Sequence, residues 1–153
     1  MTFERTYNLS VIQQIMTHPA IWPHTTDDFD GDPESFQPRM DPLIHYVLVK
    51  DHETILGLFV LYPQNRVCWE IHVRLLPEAW GETAAEAARG IIEWCWRETP
   101  AQRLVTHIIA DNKLALRYAR RAGMQEYGRN PQSWQKRGRL VDQVLMGISR
   151  EAA

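Results

Sequence analysis

An α/β (α+β) fold on a mixed sheet of six to seven strands is predicted by two features of the chain. Three strand-like runs, Leu43–Lys50, Thr54–Tyr62 and Arg66–Leu75, follow one another through three-residue links, Asp51-His52-Glu53 and Pro63-Gln64-Asn65. Links that short close antiparallel hairpins. From Arg66 onward the pattern then alternates strand, helix, strand, helix through Ala122. That alternation is a βαβ unit, whose parallel strands must be joined by a right-handed crossover. A length of 153 residues suits one domain with its own core, and neither an internal repeat nor a linker divides it, so a single domain over 1–153 is expected.

The elements read off in order as follows. Phe3–Tyr7 is a short strand. Asn8 or Ser10 caps a helix through His18 that carries Leu9, Ile12, Ile15 and Met16 at helical spacing. Residues 19–42 hold five prolines and a glycine, which leaves loops or a broken second helix. Thr54–Tyr62 is apolar almost throughout, as a central strand is. Glu78–Glu98 is a helix with Ala84, Ala85, Ala88, Ile91, Ile92 and Cys95 on one stripe and a ladder of Glu86, Arg89, Glu93 and Arg97 opposite. Arg103–Ala110 is a strand and Asn112–Ala122 a helix, closed by Gly123 at the position that favours left-handed backbone. Gln125–Arg129 and Leu140–Ile148 complete the sheet.

Composition bounds the function. The chain is 44% hydrophobic and 24% charged, within the ordinary globular range. It shows no apolar run long enough to span a bilayer and no basic-then-apolar leader. Cys68 and Cys95 have no metal-ligand spacing and read as buried reduced thiols, which suits the cytoplasm. Six acids lie between Asp27 and Asp41, and nine bases between Arg103 and Arg139. With a pI near 6.3 the basic half is matched to a small phosphorylated ligand and not to nucleic acid. The acidic stretch from Asp28 resembles a calcium loop, but it lacks glycine at the sixth position and has Arg39 at the twelfth, so no metal is expected. Neither a Ser/His/Asp elbow nor a P-loop is present.

Two motifs carry chemistry. Asp111-Asn112-Lys113-Leu114-Ala115 through Gly123-Met124 reads N-x-x-A followed by G-M, directly after an apolar strand. Upstream, Pro77-Glu78-Ala79-Trp80-Gly81-Glu82-Thr83-Ala84-Ala85 stands where a strand meets a helix. Together with the element order they resemble the GNAT superfamily of acetyl-CoA-dependent N-acetyltransferases. The second motif is most similar to the subgroup that acetylates ribosomal-protein N-termini and small amines, commonly P-E-x-W-G-K-G-x-A. Gly81 and Ala85 match, whereas Thr83 replaces a glycine and Glu82 a lysine. The resemblance covers residues 40–130 well and the ends by element order.

The resemblance implies a sheet with helices on both faces and acetyl-CoA as co-substrate. It implies that Gly81, Glu82, Thr83, Ala84 and Ala85 hold the pyrophosphate at a helix N-terminus. Val73 and Leu75 would offer backbone groups to the pantetheine arm, and Asn112 would cap its helix and contact the cofactor. The acceptor would be the primary amine of a small molecule or a peptide. Alternation on Arg66–Leu75 puts Trp69, Ile71, Val73 and Leu75 on one face, with Cys68, Glu70, His72 and Arg74 on the other. Glu70 and His72 are therefore the candidate catalytic bases, with His107 on the neighbouring strand a third. Ala119 occupies the position where many relatives place a tyrosine acid, and Tyr118, one residue earlier, is expected to turn into the core. Thr83, Glu82 and Ala119 favour the alternative of a fold that has lost turnover, either an acyl-CoA sensor or a phage-related assembly module. The final strands and the surplus tryptophans Trp94, Trp96 and Trp134 are compatible with a homodimer.

Overall fold

The computed structural model describes residues 1–151. Seven strands form one sheet: β1 Thr2–Thr6, β2 His45–Asp51, β3 Thr54–Pro63, β4 Cys68–Leu75, β5 Arg103–Ile109, β6 Gln125–Lys136 and β7 Arg139–Ser149. Their order is β1-β2-β3-β4-β5-β7-β6, antiparallel throughout except for β4 against β5. The helices are α1 Leu9–Met16, α2 Trp22–Thr25, α3 Glu82–Glu98 and α4 Lys113–Arg121. The mixed α/β fold and its strand count stand as expected, and α2 is the broken second helix.

Strand alternation distributes the core. Val47, Val49, Phe59, Leu61, Trp69 and Ile71 face α3 and α4, while Tyr46, Leu48, Leu58 and Val60 face α1 with Ile12, Ile15 and Ile21. Helices therefore cover both faces. Asn8 caps α1 by accepting from the Val11 N–H at 3.2 Å. Gly90 lets α3 settle against β1, since a Cβ there would lie 2.3 Å from the Phe3 ring. The apolar stripe of α3 is buried as read, and burial pushes the Cys95 thiol up to about 12.

Several boundaries differ from the sequence reading. Helix α3 starts at Glu82 and not at Glu78, because Pro77–Ala79 form a separate 3-10 turn and Gly81 takes φ +92°. The charged ladder on α3 is not formed among Glu86, Arg89, Glu93 and Arg97; Arg97 pairs with Glu98 at 3.0 Å instead. Cys68 is half-buried at the start of β4, not buried. Strand β6 runs well past Arg129. Its register jumps from Asn130↔Gln143 to Trp134↔Val141, so Pro131 sits in a bulge on the sheet edge, where its missing N–H costs nothing.

The acidic segment is tied to the far end of the chain. Arg137 and Gly138, both at positive φ, make the two-residue turn between β6 and β7. The Asp28 carboxylate accepts from both of their N–H groups, at 2.7 and 2.8 Å, and Lys136 Nζ donates to the Thr26 carbonyl at 2.6 Å. These bonds hold the Asp28 carboxyl below its ordinary value of 3.8, the Gly138 N–H first. A group depressed on folding stabilises the fold above its unfolded value and ceases to as pH falls through its folded one. Asp28→Asn should therefore melt below the wild type at pH 7, with the gap closing as pH drops beneath 3.8; a gap of constant width in thermal melts would contradict this.

Candidate active site

The sheet opens in its middle. Strands β4 and β5 pair at Cys68↔Arg103, Trp69↔Leu104 and Glu70↔Val105 and then separate, although β4 continues to Leu75 and β5 to Ile109. Each stays paired along its outer edge, β4 with β3 and β5 with β7. The wedge between them leads into a cavity of about 790 Å³ that reaches α2, the start of α3 and one face of α4.

A cluster of polar side chains sits just beyond the last paired residues. Glu70 and His72 share a face of β4, and His107 is two residues past Val105 on β5. Glu70 Oε1 lies 3.2 Å from His72 Nε2 and 3.3 Å from His107 Nε2. The Tyr62 hydroxyl on β3 donates to the same oxygen at 2.8 Å and is 3.3 Å from His72 Nε2. The Gln64 side chain donates to Oε2 at 3.2 Å. These donors, His107 first and His72 next, hold the Glu70 carboxyl well below the usual carboxylate range. Burial, first, draws His72 below its ordinary value in spite of Glu70, which leaves a neutral imidazole near pH 7. Desolvation, first, and then the bond to Glu70 lift the Tyr62 hydroxyl above the usual phenol range.

At the other end of the cavity stands the N-terminus of α3. Gly81 has φ +92°, a region open to glycine, and a Cβ added there would meet nothing within 4 Å. The first ladder bond is Ala85 N–H to Gly81 C=O at 3.1 Å, and no side chain caps the helix. The N–H groups of Glu82, Thr83 and Ala84 are thus free of the ladder, whereas that of Ala85 is engaged. Trp80 fixes the approach by donating its indole N–H to the Leu75 carbonyl at 3.0 Å.

Of the residues singled out in the sequence, His72, Val73, Leu75, Gly81, Ala84, His107 and Asn112 line the cavity. Glu70 reaches it through His72 and His107. Glu82 points to solvent and pairs with Arg121 at 2.8 Å, so its charge is met by an arginine that lines the wall. Asn112 caps α4 by accepting from Ala115 N–H at 3.1 Å. Tyr118 packs against the core as expected and also borders the cavity, and its hydroxyl donates to the Ala84 carbonyl at 2.8 Å, tying α4 to the first turn of α3. Ala119 is buried beside it in the same core and shares the cavity wall. The acids between Asp27 and Asp41 are absent from the lining, which carries Arg74 and Trp134 instead. Tyr62 and Arg74 were not singled out as site residues. Tyr62 lies in a nearly continuous apolar run that reads as core, and only the pairing Tyr62↔Glu70 reveals its place.

A family model described as acetyltransferase (GNAT) domain matches residues 4–125. No curated protein matches the sequence. Among solved structures, a mutant of spermidine N-acetyltransferase SpeG from Vibrio cholerae is 16% identical over 97% of this chain and 95% of its own, with a TM-score of 0.77. Spermidine N-acetyltransferase from the same organism in complex with CoA and spermine is 18% identical over 97% and 94%, at 0.72. The protein smu.2055 from Streptococcus mutans UA159 is 14% identical over 97% and 99%, at 0.74. At these identities the likeness is one of fold.

Proposed function

The chain belongs to the GNAT acetyltransferase family, and from that premise we propose that it moves acetyl from acetyl-CoA to a primary amine by direct attack. The observation that carries this reading is the wedge between β4 and β5, which opens at Glu70 and Val105 and holds His72 and His107 at its mouth. A thioester fits there with the CoA pyrophosphate on the N–H groups of Glu82, Thr83 and Ala84. Val73 and Leu75 offer backbone groups to the pantetheine arm, and Asn112 lies along the opposite wall.

In this mechanism Glu70 is an orienting group more than a base, because a carboxyl held so far below neutrality takes up protons poorly. The Glu70 carboxylate accepts the Nε2 protons of His72 and His107, which fixes the ring positions. Neutral His72 then takes a proton from the incoming ammonium, directly or through water. The freed nitrogen lone pair attacks the thioester carbonyl carbon, and backbone N–H groups of the splayed strand hold the oxyanion. The C–N bond forms, the nitrogen gives up its second proton to solvent, the C–S bond breaks, and the thiolate is reprotonated from solvent.

The lining also bears on the acceptor. Arg74 Nε and Trp134 Nε1 are buried donors without a partner among the described residues, and both residues line the cavity. Burial lowers Arg74 to about 10, which still leaves it cationic. A bare polyamine brings only donors and positive charge to such a wall. An amine carrying carbonyl or carboxylate oxygens, such as an amino acid or a peptide N-terminus, would satisfy it. The P-E-x-W-G motif supports the same choice.

Acetyl-CoA at a hundred times its dissociation constant should stabilise the protein by about 2.7 kcal/mol. Gly81→Val, which brings a branched side chain to φ +92° at the cavity wall, should abolish most of that shift. No wild-type shift in a thermal titration would sink the cofactor site. His72→Ala should lower turnover on an amine panel by about 100-fold or more while the acetyl-CoA shift persists. Binding without turnover in the wild type would favour the acyl-CoA sensor.

A further inference from the structure

We propose that Glu70 Oε1, His72 Nε2 and His107 Nε2 form a binding site for one divalent transition-metal ion of the zinc class. The first argument is a miscount of lone pairs. Tyr62 Oη, His72 Nε2 and His107 Nε2 converge on Oε1 at 2.8, 3.2 and 3.3 Å, while Oε2 receives Gln64 alone at 3.2 Å. One carboxylate oxygen offers about two lone-pair sites. Two lone pairs do not serve three donors well, so a cation that takes up Oε1 and both Nε2 atoms gives up little in replacing these hydrogen bonds.

The second argument is length. Ligands about 2.0–2.1 Å from zinc at tetrahedral corners lie about 3.3 Å apart. The two Glu70–histidine edges measure 3.2 and 3.3 Å, and the three ligand atoms all lie within 4.8 Å of one another. Two neutral imidazoles and one carboxylate form a set that zinc favours, with the fourth position left to water or substrate. The surroundings fit as well. Gln64 restrains Oε2 so that Oε1 is presented singly, as outer partners of a ligating carboxylate do. The cavity that His72 and His107 line gives the ion a way in. When the ion binds, each imidazole moves its proton from Nε2 to Nδ1 through solvent and gives the Nε2 lone pair to the metal.

Binding goes beyond the acetyl-transfer reading and does not depend on it. One consequence does rest on that reading: an ion on these atoms removes the base, so zinc would switch transfer off.

The test is calorimetric titration of chelator-treated protein with zinc chloride in the absence of acetyl-CoA, together with visible absorption after addition of cobalt chloride. One equivalent should bind, and cobalt should give the intense bands of a tetrahedral site. Glu70→Gln, His72→Ala and His107→Ala should each weaken zinc by more than about 100-fold, beyond the loss typical of an outer partner. His52→Ala, at an exposed turn, should bind as the wild type does. Thermal melts establish that each variant is folded, and Glu70→Gln retains the side-chain shape. No heat at millimolar zinc, or binding undiminished in the folded triad variants, overturns the proposal. A protein that turns over acetyl-CoA without binding zinc refutes this site alone, and one that binds zinc without turnover refutes only the acetyl-transfer reading.

Discussion

Everything at this site depends on two strands parting while each keeps its other neighbour. Backbone N–H and C=O groups must be paired or solvated, so a sheet cannot open without exposing some of them. Here the exposure is confined to the inner edges of β4 and β5 beyond Glu70 and Val105, while β3 and β7 hold the outer edges in register. The opening is therefore stiff on both sides. It places unpaired backbone groups, two histidines and a carboxylate around one space, which a continuous sheet could not do.

Much of this was legible in the chain, and the legible parts share a cause. Short-range periodicity located β2, β3, β4, α3 and α4, and the Asn112 cap and Gly123 bounded α4. The same alternation placed Glu70, His72 and Arg74 together on one face of β4. What escaped depends on pairing between segments distant in sequence. Tyr62 meets Glu70 only because β3 folds back on β4; His107, named as a third candidate base, meets it because β5 lies in parallel register. A metal triad split as Glu-x-His on one strand and a lone histidine on another has no spacing signature, which is why a sequence without zinc-like spacing gave no hint of one. Strand β6 runs past Arg129, where the sequence reading ends it, because Pro131 is accommodated in an edge bulge.

The two departures from the family motif read differently in three dimensions. Glu82, which stands where the motif commonly has a lysine, turns its carboxylate to solvent and meets Arg121. An exposed pair of this kind contributes little stability, yet it balances the carboxylate's charge beside the start of α3. Thr83 lies in the uncapped first turn of α3, and its N–H is available whatever its side chain. The loss of the tyrosine at Ala119 is the deeper change. Tyr118 cannot replace it without giving up its bond to Ala84, which couples α4 to the first turn of α3.

The strand order also orders assembly in time. β1 to β4 each lie beside their neighbour in sequence, except for the excursion through α1 and α2, so half the sheet forms from local pairings. β5 cannot be completed in this way. Its outer neighbour is β7, the last strand, which must insert between β5 and the earlier β6. One wall of the cavity is thus built by strands that follow one another in the chain, and the other is complete only once β7 lies beside β5. A nascent or C-terminally shortened chain would carry Glu70 and His72 on a finished meander, yet would lack the partner that holds His107 opposite them.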